Sequence, residues 1–316
     1  MSRNLSPRIL RCILATLLVT GVACTPDGES KGDNSAETAL SGTITVPVDA
    51  AILHLLDSAK ALYDAEHPNA HITLVAKDPA ATMDRMLNGL ERIAIIARDY
   101  TPEEDSAIGV IGGDTLMRSL LARDAIVFFA AKSFPYDTMN SNHIRMWLAG
   151  ENKVWSGYPA LAAPPQFIIS GGSTSSVYGN IMNVVLKGGA PSVKRLATVD
   201  TFDSLLTTVA TIPGAVGVAY LSQVYGNPNV KLLRLSYTNS DGSHEYPKPV
   251  HVSYLIMGKY PFPVPIYVYL KDRPNMYSLP SGLMQFLTRS GNAQRTFLSA
   301  GIEPGYAKFS LVLPEE

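Results

Sequence analysis

The chain has 316 residues, 46% of them hydrophobic and 17% charged, with 26 basic side chains against 27 acidic. That balance excludes the basic face nucleic acid requires, and the apolar content is enough for one large core or two modest ones. The only cysteines, Cys12 and Cys24, sit near the N-terminus, so no disulfide, thiolate nucleophile or zinc-thiolate site is expected in the globular part.

Arg3, Arg8 and Arg11 surround a short polar start, and the apolar run Cys12–Ala23 follows. About a dozen apolar residues are too few to span a bilayer and suit the core of an export signal. Cys24 follows Gly21, Val22 and Ala23, an arrangement that resembles a bacterial lipobox with Gly21 in a usually aliphatic place. A plain secretory peptide is the alternative. The expectation is a leader over 1–24 and an exported, periplasmic or outer-face protein anchored in the membrane through lipid on Cys24. Without the leader arginines, 23 basic residues face 27 acidic ones. Residues 25–42 are mostly polar and read as a flexible tether, because they cannot bury enough surface to fold.

Order begins at the β-rich run Thr43–Val46, followed by a helical pattern from Asp49 to Glu66 that Pro68 ends. Ile72–Val75 reads as a strand, Ala80–Leu90 as a helix and Ile93–Ala97 as a strand, an alternation that indicates parallel βαβ units. Thr101-Pro102-Glu103-Glu104 is a helix start by its capping pattern. Two β-like runs follow, Thr115–Leu121 and Ala125–Ala131, with Arg123-Asp124 between them, and then a helix over Asn140–Ala149.

Phe167–Leu186 organises the middle of the chain. Phe167-Ile168-Ile169 stops at Ser170-Gly171-Gly172, the hydroxyls Ser173, Thr174, Ser175 and Ser176 follow, and Val177, Ile181, Val184 and Val185 then recur at helical spacing. Strand, glycine loop and helix start leave unpaired N–H groups beside hydroxyls, a pocket for an anion. The same hydroxyls are also ordinary helix caps. A helix over Phe202–Ala210, a turn at Pro213-Gly214 and a buried strand at Ala215–Ala219 come next. The polar, turn-rich stretch Asn227–Lys248 leads to β-rich Val250–Met257 and Ile266–Leu270, and helices over Leu279–Arg289 and Ala293–Ala300 close the chain.

The ordered set RSLLARDAIVFFAAKSFP, HIRMWLAGENKVW, GGSTSSVYGNI, IPGAVGVAYL, GKYPFPVPIYVYL and FLTRSGNAQRTFLSAGIEP resembles the phosphate-type solute-binding proteins of ABC transporters over roughly Thr43–Pro304. The resemblance implies an α/β fold of two domains (type II periplasmic binding protein), each a mixed sheet flanked by helices, joined by two crossing strands. Residues 43–121 plus 254–316 would form domain I and residues 122–253 domain II. It also implies a monomer that holds phosphate or a related oxyanion and hands it to an ABC permease, with no cofactor, no metal and no catalysis.

Three strand-end loops match the family's ligand contacts. The first, Val48-Asp49-Ala50-Ala51, departs by carrying Asp49, which is otherwise a helix cap. The second is Ala97-Arg98-Asp99-Tyr100, where Arg98 would hold the anion bidentately and Asp99 accept its proton; a surface ion pair is the alternative. The third is Thr174-Ser175-Ser176 with Ser173 beside it, and it lacks the Arg that phosphate binders usually carry just before. A surface sensor or adhesion module with a degenerate cleft is therefore the second reading, and a hydrolase using Ser173 or Ser175 without an evident base a distant third. His67 and His71 are interrupted by Pro68 and read as no metal pair.

Overall fold

The computed structural model describes residues 37–111, 116–272 and 277–306; the expected leader, Cys24 and most of the expected tether lie outside them. In chain order the elements are β1 (Gly42–Asp49), α1 (Asp57–Glu66), β2 (Ala70–Lys77), α2 (Pro79–Leu87), β3 (Ile93–Ile96), α3 (Pro102–Ile111), β4 (Met117–Ala131), β5 (Thr138–Asn140) and α4 (Ser141–Leu148). They continue as β6 (Gln166–Ser170), α5 (Ser176–Asn180), β7 (Leu196–Val199), α6 (Phe202–Thr211), β8 (Ala215–Tyr220), α7 (Leu221–Val224), β9 (Val230–Leu232), β10 (Arg234–Thr238) and β11 (His244–Lys248). The described chain ends with α8 (Val252–Ile256), β12 (Pro263–Leu270), α9 (Leu279–Arg289), α10 (Gly291–Ser299) and β13 (Glu303–Pro304).

The opening alternation of strand and helix gives the parallel pairing it predicts. β1 pairs along its length with β2 and meets β3 through Val48 and Ile95. The helix expected from Asp49 starts later, because Asp49 ends the strand; a 3-10 turn covers Leu53–Leu55, and α1 begins at Asp57. The carboxylate accounts for the delay, since Oδ1 accepts the Ala51 N–H at 3.1 Å and offers the backbone a local alternative to helix.

β4 joins the two halves. The runs expected on either side of Arg123-Asp124 form one strand of 15 residues. Its first part, Met117–Ala125, pairs with β12, and Ile126–Phe129 pairs with β8. A charged pair inside a strand is tolerated because its side chains leave on opposite faces: Arg123 bonds Glu303, while Asp124 is fully buried. The strand order is β2-β1-β3-β12-β4-β8-β6-β7, and β6, β7 and β8 are mutually parallel. β8 lies close on β4: a Cβ added at Gly217 would stand 2.2 Å from the Phe129 ring.

Two stretches differ from expectation. The β-rich Val250–Met257 is not a strand; it holds the short helix α8, capped by His251, with Val252, Ser253, Tyr254 and Leu255 all buried. A short run buried on every side has no period that separates strand from helix. The turn-rich stretch after Asn227 contains β9, β10 and β11, and β10 pairs with both β11 and β5.

Candidate ligand-binding cleft

The C-terminal ends of parallel strands from both halves point at one place. β1 delivers Asp49, β2 Lys77, β6 Ser170, β7 the following Asp200, and β8 the α7 residue Gln223. In open α/β sheets that crevice is where ligands bind. The cavity there measures about 470 Å³ and is also lined by Ala50, Asp78, Thr174, Ser175 and Thr201. Three of its hydroxyls and carboxylates are helix caps: Asp78 accepts from Ala81, Ser175 from Tyr178 and Thr201 from Ser204. Gly171 and Gly172 take φ of +84° and +74°, a left-handed turn that glycine adopts at little steric cost, and this turn brings Ser175 back over the strand end.

Asp49 is the floor of this cleft, only 3% exposed. Its Oδ1 accepts from Ala51 N and its Oδ2 accepts from Ala97 N at 3.2 Å, while the Ser176 hydroxyl favours the ionised form of the same carboxylate. Ser176 in turn accepts from the Tyr220 hydroxyl at 2.8 Å, and Asn180 Nδ2 donates to Tyr220 and to the Ala97 carbonyl. The network therefore ties the ends of β1 and β3 to α5 and β8 across the two halves. Burial pushes the Asp49 carboxyl above its ordinary range, opposed by Ser176 and the two N–H groups, which favour the ionised form. Burial and the nearby Asp49 hold the Tyr220 hydroxyl protonated. Tyr220→Phe, which leaves Ser176 and Asn180 each one buried partner short, is expected to cost about 1–3 kcal/mol in denaturant unfolding.

The other sequence candidates lie elsewhere. Arg98 is 5% exposed and does not line the cavity; its Nη1 and Nη2 donate to Glu104 Oε2 and Oε1 at 2.7 and 2.6 Å. Its guanidinium is thus held by an internal carboxylate. Asp99 is exposed and pairs with Arg118, which packs between the rings of Tyr100 and Tyr267. Ser173 is exposed outside the cavity lining, Thr174 and Ser175 line it, and Ser176 is buried in the network beneath. Lys77, Asp78, Asp200, Thr201 and Gln223 are lining residues that sequence reasoning misses. Their signal is positional, each following or ending a strand. His67 packs its ring on Tyr63 and Phe286. No helix among the described residues is long and apolar enough to cross a membrane.

The PBP superfamily domain model matches residues 33–290. Among solved structures, the chain is similar to an ABC-type phosphate transport receptor of Vibrio cholerae (14% identity, 83% of this chain and 100% of that one, TM-score 0.62). It is also similar to PstS of Borrelia burgdorferi (19%, 84% and 99%, TM-score 0.55) and to a phosphate-bound substrate-binding protein ascribed to a phosphate ABC transporter of Clostridium perfringens (16%, 83% and 99%, TM-score 0.67). No functionally curated protein matches the chain in sequence. Because the family match runs through both sheet halves and every element that lines the cavity, the chain belongs to the PBP superfamily, and its fold is that of the type II periplasmic binding proteins.

Proposed function

We propose that the protein is an exported, lipid-anchored solute receptor that captures a small polar ligand between its two lobes and presents it to an ABC permease, without catalysis of its own. The lobes correspond to the sheet halves on either side of the Ala125–Ile126 step in β4. The anchor reading rests on the sequence around Cys24, and the transport reading on family membership and on the strand-end cleft.

The observation that carries the choice of ligand is the charge of the cavity wall. Asp49, Asp78 and Asp200 line it, and Lys77 is the sole cation among the described lining residues. A fully ionised inorganic anion brings only acceptors and more negative charge to such a wall. A solute with hydroxyl or ammonium groups donates to the carboxylates, and any single anionic group it carries fits beside Lys77. This departs from the bare oxyanion suggested by sequence resemblance, whose fixed cation was to be Arg98.

The reading is tested by thermal-shift titration of the wild type with phosphate, sulfate, polyols, amino-polyols and hydroxylated organic phosphates at matched ionic strength. A cognate solute at a hundredfold excess over its dissociation constant adds about 2.7 kcal/mol of stability. Stabilisation by phosphate or sulfate alone would sink the ligand assignment. Silence across the set would favour the degenerate sensor or adhesion module, which the already closed Asp49–Ser176–Tyr220 network also fits.

A further inference from the structure

We propose that the Asp49 carboxylate is an internal ligand, seated where a small free oxyanion fits, and that removing it uncovers a latent site for inorganic oxyanions. The proposal relies on the receptor reading only for the location of the cleft.

Two backbone donors from separate elements converge on these two oxygens, and a hydroxyl from a third element favours their charge. The Ala51 N–H comes from the loop after β1 and the Ala97 N–H from the end of β3, and the Ser176 hydroxyl at the start of α5 favours the ionised carboxylate. An oxyanion is held in just this way, by oriented donors from a rigid frame in a site that excludes water. The frame is fixed independently of the carboxylate, because Tyr220 and Asn180 hold Ser176 and the Ala97 carbonyl from below. Asp49 is covalently tethered, so it fills the seat at high effective concentration. Its charge also repels any anion approaching from the cavity.

Asp49 therefore explains two facts together. The seat has two oriented backbone donors, and Arg98, the arginine at the end of the neighbouring strand, is committed to Glu104. With one carboxylate already bound to the donors, no further cation is needed there. The solute proposed above then sits on the cavity side of Asp49, not in the donor seat.

The test is calorimetric titration of Asp49→Ala with sodium phosphate and, separately, sodium formate, which restores the missing carboxylate as a free ion. The wild type and Asp49→Asn serve as controls at matched ionic strength. Asp49→Ala is expected to bind both ions one-to-one, at least about tenfold tighter than the wild type, and formate is expected to raise its melting temperature. Asp49→Asn keeps the seat filled with an amide and is expected to gain nothing. Should Asp49→Ala fail to fold, the same titrations on Asp49→Ser decide, since the shorter side chain also vacates the seat. A folded Ala or Ser variant that binds neither ion overturns the proposal, and so does an equal gain in Asp49→Asn, which would make charge and not occupancy the cause. A wild type that binds phosphate would instead count against the receptor's ligand assignment.

Discussion

Replacing Glu104 with Ala is expected to lower folding stability by about 3–5 kcal/mol, because it leaves the buried Arg98 guanidinium without a counter-charge. The pair is bidentate, with Arg98 5% exposed. Glu104 also caps a helix, since its Oε2 accepts the Thr101 N–H while Thr101 Oγ1 accepts the Glu104 N–H, a capping box at the start of α3. Denaturant unfolding of Glu104→Ala, Arg98→Met and the pair Arg98→Met/Glu104→Leu separates these effects. Each single change should cost more than the double, which buries apolar groups in place of ions and loses mainly the cap. If Glu104→Ala unfolds within about 1 kcal/mol of the wild type, the pair is a weak surface bridge, and Arg98 is available to a ligand after all.

Replacing Asp124 with Asn is expected to stabilise the protein increasingly as pH rises, the advantage growing by about 2 kcal/mol between pH 4 and pH 7. Asp124 lies in the crossing strand, fully buried, with Oδ1 accepting from Ala125 N and Ser222 N. Burial pushes its carboxyl up to about 6, against bonds from Ser222 and the Ala125 N–H. The folded value lies above the unfolded one of about 4, so between those pH values the folded chain holds a proton that the unfolded chain has lost. The stabilisation from that proton is complete below about pH 4 and lost as pH rises through about 6. Asn keeps the neutral state throughout. Denaturant curves for both proteins at the two pH values check this, and a pH-independent difference would show that Asp124 is ionised at no cost.

These two residues also show how far sequence can reach. The βαβ opening, the glycine loop before α5 and the cap at Thr101 are legible, because periodicity, glycine and capping chemistry act within a few residues. Arg98 reads toward the ligand in sequence because its partner Glu104 lies six positions on and reaches it only after α3 folds back. Arg123-Asp124 looks like a break because adjacent charges suggest a turn; that one faces out and the other in follows from pairing with β12, β13 and β8, far along the chain. Asp49 reads either as a cleft residue or as a helix cap, and neither reading reveals that the Ala97 N–H from the end of β3 donates to it. Lys77 and Asp200 carry no local motif; only the rule that ligands meet strand ends points to them.

Equilibrium dialysis of the wild-type protein against radiolabelled phosphate, at ligand concentrations comparable with the protein and with Asp49→Ala in a parallel cell, tests the occupancy of the seat most directly. With the donors of Ala51 and Ala97 taken by Asp49, the wild type should retain no phosphate above the ionic background while the variant retains one equivalent. A variant that retains no more phosphate than the wild type would contradict the internal-ligand assignment.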